Sequence, residues 1–119
     1  MNLLQTRICA RIGIFGDWEH GLYGGHMREK HIEQNLVRAV KAAGGLAPKF
    51  ISPGMDGLPD RLVLLPHGKI AFVEVKAPGK VMRPLQIKRK RQLEALGFRV
   101  YVLDDIGQIG GILAEIQSS

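Results

Sequence analysis

The chain has 119 residues, 45% of them hydrophobic and 24% charged, with a formal charge of +6 and a pI near 9.8. That composition allows one domain with a real core and excludes global disorder. A single cysteine, Cys9, excludes an internal disulfide and a CxxC zinc site, and no apolar run approaches the roughly 20 residues that span a bilayer.

The basic balance points to a polyanionic partner, either nucleic acid or an acidic membrane surface. One thiol fits a reducing, cytoplasmic setting. The stretch "MNLLQTRICARIGIFG" lacks the long apolar core and small-residue cleavage site of a secretory signal.

Residues 1–27 read as an N-terminal extension, because "GDWEHGLYGGHM" is glycine-rich and without period. It is expected to be either non-essential or, through "TRICARIGIF", an edge strand or dimer arm. From Arg28 to residue 119 a single domain is expected. In "REKHIEQNLVRAVKAAGG", Ile32, Leu36, Ala39, Val40 and Ala43 recur at helical spacing, and Gly44-Gly45 is a stop. "LAPKFIS" predicts a first strand, and "PGMDGLP" a loop. "DRLVLLP" and "KIAFVEVK" predict two strands joined by a tight turn at His67-Gly68. After the loop "APGKVMR" comes a helix, "PLQIKRKRQLEALG", with Pro84 in its first turn and Gly97 at its end. "FRVYVLD" predicts another strand, and a last helix starts at Asp104 or Asp105.

The order α-β-β-β-α-β-α predicts an α/β fold. The hairpin is antiparallel, and the strand–helix–strand step from 69 to 103 is long enough for a parallel crossover. Together they make a mixed sheet flanked by helices.

Alternation along "KIAFVEVK" puts Ile70, Phe72, Glu74 and Lys76 on one face and Ala71, Val73 and Val75 on the other. Counting outward from the turn brings Asp60 about level with Lys76 and near Glu74. Asp60 and Glu74 can then share one hard divalent cation, with water completing the shell and Lys76 beside that water. Such an ion polarises a phosphate and acidifies bound water, which phosphodiester hydrolysis requires. Glu33 borders the apolar stripe of the first helix, where an acid is costly unless it meets a cation or hydrogen bonds. It is a candidate outer or second-metal ligand.

With Glu33 on the opening helix, "GLPDRLVL" at 57–64, "FVEVKAPG" at 72–79 and Gln86 in the next helix, residues 28–105 resemble the small, virus-type and bacterial VRR-NUC domains of the PD-(D/E)xK nuclease superfamily. The resemblance implies a restriction-endonuclease-like fold. It implies a metal site of Asp60, Glu74 and the Val75 carbonyl, Lys76 as the catalytic lysine, Glu33 as an additional acid, and Gln86 steering water or DNA. The implied activity is that of a metal-dependent, structure-selective DNA endonuclease, Holliday-junction-resolvase-like and homodimeric, of phage or bacterial origin. Mg²⁺ is the expected cofactor, and Mn²⁺ suits the same ligands. Flaps, splayed arms and duplex DNA are alternative substrates, and a non-catalytic basic nucleic-acid-binding module is the alternative function.

"KVMRPLQIKRKR" carries six cations and no acid directly after the candidate site. Lys80, Arg83, Lys88 and Arg89 are the expected phosphate contacts, positioning DNA without reading its sequence. His67 is expected at the surface in its turn, His31 on the exposed side of the helix, and His20 and His26 in the extension, all without a catalytic role. Trp18 and Tyr23 are too isolated to form a stacking platform.

Overall fold

The structure, a computed structural model, describes residues 25–119, with side chains from residue 29. The elements are α1 (Gly25–Ala42), β1 (Arg61–Leu65), β2 (Lys69–Val75), α2 (Pro84–Ala95), β3 (Arg99–Leu103), a 3-10 turn (Ile106–Gln108) and α3 (Ile109–Ser118). Helix α1 begins at Gly25, so the expected domain start at Arg28 falls in its first turn. Expectations for Cys9, Trp18, His20 and Tyr23, and for an arm at 6–15, lie outside the described residues, as does the side chain of His26.

Strand order is β1-β2-β3, with β1 antiparallel and β3 parallel to β2. This is the mixed sheet expected from the hairpin and the crossover. Odd-numbered strand residues face one side. There Val63, Leu65, Ala71, Val73, Val75 and Leu103 pack against Ile32, Leu36 and Val40 of α1 and Ile109, Leu113 and Ile116 of α3. On the even face Phe72 stands between Phe50 and Phe98, with ring centroids 5.6 and 5.7 Å away. Helix α2 packs mainly on β3.

The Gly44-Gly45 stop closes α1 as a Schellman motif. Gly44 has φ +88°, its N–H donates to the Lys41 carbonyl at 3.0 Å, and the Gly45 N–H donates to the Val40 carbonyl at 2.9 Å. A Cβ on Gly45 would meet the Leu64 carbonyl oxygen at 2.1 Å, so only glycine lets the chain turn this closely onto β1. The last helix is entered through the 3-10 turn, where the Asp105 side chain accepts from the Gly107 N–H at 3.2 Å.

The expected first strand, 46–52, is not a full strand. It makes only two isolated bridges to β1, Leu46↔Leu64 and Lys49↔Arg61. Leu46 and Leu64 exchange both backbone hydrogen bonds, and Leu62 N–H donates to the Pro48 carbonyl. Pro48 has no N–H to return the bond, so the ladder loses a rung at its centre. The segment still runs along the outer edge of β1, down to a bond from Phe50 N–H to the Asp60 carbonyl.

Candidate active site

Leu65 pairs with Lys69, so the hairpin loop is Pro66-His67-Gly68, one residue longer than the two-residue turn expected. His67 takes φ 69° in it and is exposed. The longer loop shifts the register. Extending the pairing Arg61↔Val73 outward sets Asp60 opposite Glu74, rather than level with Lys76, and Pro59 opposite Val75.

That register explains the Pro-Asp pair. On β1 the even residues bond outward to 46–50, so the odd ones bond inward to β2. On β2 Lys76 N–H reaches the Leu103 carbonyl of β3, so the odd residues there point at β1. Val75 therefore directs both its N–H and its carbonyl at Pro59. The N–H is taken by Asp60 Oδ1 at 3.1 Å. The carbonyl faces a proline, which has no N–H to donate, so the β1 ladder leaves that oxygen without a donor.

Glu74 is buried, 5% exposed. Its Oε2 accepts from Gln86 Nε2 at 3.0 Å and lies 3.3 Å from Lys76 Nζ. Gln86 is also buried and works in two directions, because its Oε1 accepts the Arg83 N–H at 2.9 Å. One side chain thus closes the start of α2 and pins that helix to Glu74. The Lys76 side chain is 16% exposed, with its amine turned onto the carboxylate.

Burial pushes the Asp60 carboxyl above its ordinary value, with Glu33 adding to the rise; the Val75 N–H opposes it. Burial likewise raises Glu74, the Asp60 charge adds to the rise, and the hydrogen bond and charge of Lys76 act against it. Two neighbouring acids whose charged forms are disfavoured by burial gain most from an added positive charge. A Mg²⁺-like ion takes one or two carboxylates and otherwise water or phosphate oxygens. Asp60, Glu74 and the donorless Val75 carbonyl fit that donor set. Among the described residues no group of three or more His, Cys, Asp or Glu side chains could hold a metal, so the fit is to an ion that keeps much of its water.

Glu33 does not join Asp60 and Glu74 in such a group. Its carboxylate is paired with Arg61 Nη2, and both side chains are largely buried. Arg61 Nη1 donates to the Ala47 carbonyl at 2.8 Å. Sequence reasoning missed Arg61, although the signal was present. Position 61 is odd and faces the core side, where a lone cation needs an acid. Glu33 bordering the helix stripe is the complementary misfit.

Lys80, Arg83 and Lys88 are exposed. Arg89 is committed elsewhere, with Nε donating to the Asp56 carbonyl at 2.9 Å and Nη1 to Gln92 Oε1 at 2.8 Å. It ties the loop before Asp60 to α2. His31 was expected on the exposed side of α1 but is buried, 7% exposed, with its carbonyl accepting from Asn35 Nδ2 at 2.8 Å. The helix's apolar stripe is wide enough to include it beside Ile32.

No family model matches the chain. A protein of Acyrthosiphon pisum secondary endosymbiont phage 1, "Putative nuclease p44", is 55% identical over 78 residues, covering 66% of this chain and 84% of that one. A solved structure described as "VRR_NUC domain" is similar with a TM-score of 0.69 at 30% identity, covering 73% of this chain and 95% of that one. With the mixed sheet and the ordered Glu33, Asp60, Glu74 and Lys76 in place, these likenesses show that the chain belongs to the VRR-NUC domain family.

Proposed function

We propose that this chain is a metal-dependent endonuclease that hydrolyses phosphodiester bonds in DNA. The observation that carries the proposal is the meeting of Asp60, Glu74 and Lys76 beside a Val75 carbonyl that the β1 ladder leaves without a donor. A pure nucleic-acid binder gains nothing from a buried and a half-buried acid beside its phosphate surface.

In this proposal Asp60, Glu74 and the Val75 carbonyl hold a Mg²⁺ or Mn²⁺ ion. When bound, the ion supplies a polarised phosphate and a water acidic enough to be a nucleophile near neutral pH. The Val75 N–H fixes the Asp60 carboxylate, and Gln86 fixes Glu74, so neither acid must reorganise. Lys76 offers its amine as a donor to the charge that grows on the phosphate oxygens. Glu33 acts at the margin, holding Arg61 in place next to Asp60. Lys80, Arg83 and Lys88 contact phosphates beyond α2, while Arg89 positions the loop that leads to Asp60.

A branched substrate and a homodimer complete the proposal. Symmetric cutting of a four-way junction needs two active sites in fixed relation, which a two-fold dimer supplies. The test is a panel of matched junction, flap, splayed-arm, single-strand and duplex DNA, with metal omitted and then restored. Cleavage only with metal, strongest on the junction, is expected. A clean preparation that cuts none of them in Mg²⁺ or Mn²⁺ would remove the nuclease function.

A further inference from the structure

The basic run at 80–91 is only one side of the site, and α1 offers another basic surface that the charge pattern of the sequence does not single out. Lys30, Gln34 and Arg38 follow one another at four-residue steps, which puts them in a row along one side of α1. Together with Lys49 and Arg61 they line a groove between that helix and the edge segment at 46–49. Its one acid, Glu33, is already held by Arg61. Lys30, Arg38 and Lys49 make no ion pair among the described residues. Arg61 Nε is buried without a hydrogen-bond partner there. Three unneutralised cations thus share one concave surface, and that surface ends at the residue next to Asp60.

We propose that this groove is a track for the phosphates of one strand of duplex DNA leading to the candidate active site. The proposal rests on the nuclease function above. Lys30 and Arg38 are separated by about 12 Å along the helix axis. One strand of a duplex climbs about 3.4 Å of axis per charge while winding around it, so its phosphates lie roughly twice that far apart and the row spans about two to three of them. Lys49 comes from the edge segment and faces the same groove, so cations lie on both of its walls. Position matters as well. The groove lies on the outer edge of β1, whereas α2 with Lys80, Arg83 and Lys88 packs on the β3 side. Asp60 and Glu74 stand between the two basic surfaces. Phosphates gripped on both sides would bring the backbone of one duplex across the carboxylate pair. The groove exposes amines and a guanidinium rather than a base-reading constellation, so it positions DNA without sequence preference.

Two measurements test the groove. Binding of a fluorescent duplex by wild type and by the Lys30→Gln/Arg38→Gln/Lys49→Gln variant is followed by anisotropy in EDTA across a salt series. Removing three phosphate contacts should lower the slope of log K against log salt by about two to three and weaken binding at least tenfold at low salt. Lysine acetylation of the wild-type protein gives the second readout, which does not depend on how the variant folds. Duplex should protect Lys30 and Lys49 but not Lys41, which is exposed near the C-terminal end of the same helix. An unchanged slope in a variant with a normal melt overturns the proposal, as do equal acetylation rates with and without DNA. Failure of the groove and failure of the nuclease are separable. Cleavage by wild type with an unaltered variant slope removes the groove alone. Protected lysines and a reduced slope, without cleavage when metal is restored, remove the nuclease alone. A wild type that does not bind duplex at all removes the groove.

Discussion

Extended two residues past its last pair, Arg61↔Val73, the β1–β2 register sets Pro59 opposite Val75, so the residue before Asp60 is one that cannot donate to the Val75 carbonyl. The same two positions thereby do two jobs. Val75 N–H orients Asp60, and Val75 C=O is left to whatever arrives at the site.

Replacing that proline is the sharpest probe of the arrangement. Pro59→Ala restores an N–H where the ladder can use it, and the Val75 carbonyl acquires a competitor for any metal. A net hydrogen bond of about 1 kcal/mol corresponds to roughly fivefold weaker metal binding. Titration calorimetry with Mn²⁺, well below the melting temperature, reads this directly. Pro59 is also fully buried, so some stability is lost and is measured separately by denaturation. Equal Mn²⁺ affinity in the two proteins would show that the carbonyl is not a ligand.

Lys76 separates chemistry from binding. Its amine lies on Glu74 Oε2 rather than in the basic surface, so Lys76→Ala should leave DNA affinity in EDTA within about twofold. Cleavage should drop by about 10²-fold or more, the scale on which a positioned donor acts on developing charge. Single-turnover kinetics with saturating enzyme distinguishes the two effects. Undiminished cleavage by a nuclease-free preparation would falsify the assignment of Lys76.

The acids predict an unusual pH response. Asp60 and Glu74 both have folded values above their unfolded ones. In the window between these, the native state binds more protons than the unfolded chain, so stability from this pair falls as pH rises through it. It is fully present below the ordinary carboxylate range and is gone above the raised values. Metal reverses the trend, because it binds the ionised pair. The melting temperature at pH 7.5 should rise when Mg²⁺ or Mn²⁺ is added, and the rise should fade toward about pH 4, near the ordinary carboxylate values. Asp60→Asn should remove the metal response while leaving the metal-free protein at neutral pH as stable as wild type or more so. A metal-induced rise that survives in Asp60→Asn would place the ion elsewhere.

Gln86 is a positioning residue whose two ends carry different consequences. Gln86→Ala loses the closure at Arg83 N–H and leaves Glu74 with Lys76 alone, at a cost of about 1–2 kcal/mol. Gln86→Glu keeps an acceptor for Arg83 N–H but puts a third negative charge against Glu74. Denaturation should therefore rank the alanine variant below glutamate if the helix closure dominates. Cleavage should rank glutamate no better than alanine if orientation of Glu74 dominates. Near-wild-type cleavage in both would leave Gln86 with a purely structural role.

Much of this arrangement was legible in the residues, and the parts that were not share a cause. The apolar stripe of α1, the strands "RLVLL" and "KIAFVEV" and the glycine stops follow from period and turn chemistry, which are local. Asp60 and Glu74 could be brought together because a hairpin makes distant positions local. The error came from the turn. A two-residue loop at His67-Gly68 sets Asp60 opposite Val75, one residue short of the approximate level with Lys76 that was expected, and including Pro66 in the loop sets it opposite Glu74. The broken ladder at 46–49 was signalled by Pro48, but its length gave no hint of which rung would be missing. The Glu33–Arg61 pair and the groove of Lys30, Arg38 and Lys49 join a helix, an edge segment and a strand through tertiary packing. Periodicity marks Arg61 and Glu33 as misfits on their own elements, but no spacing along the chain encodes which elements meet.

Arg61 is the test of how that junction is held. Its guanidinium links α1 through Glu33 to the edge segment through the Ala47 carbonyl, at side-chain exposures of 13% for Arg61 and 20% for Glu33. Exposed pairs contribute at most about 1 kcal/mol, and breaking a fully buried pair costs about 3–5 kcal/mol. Arg61→Met should fall between these, at roughly 2 kcal/mol, because Glu33 is left partly buried without its cation. Glu33→Gln in the same background should recover part of the loss, since the stranded charge is then gone. A double-mutant cycle by urea denaturation gives the coupling. Additive effects would mean that the guanidinium acts through Ala47 rather than Glu33. Recovery would show that the acid beside Asp60 is held by charge, which is what keeps it out of the carboxylate pair.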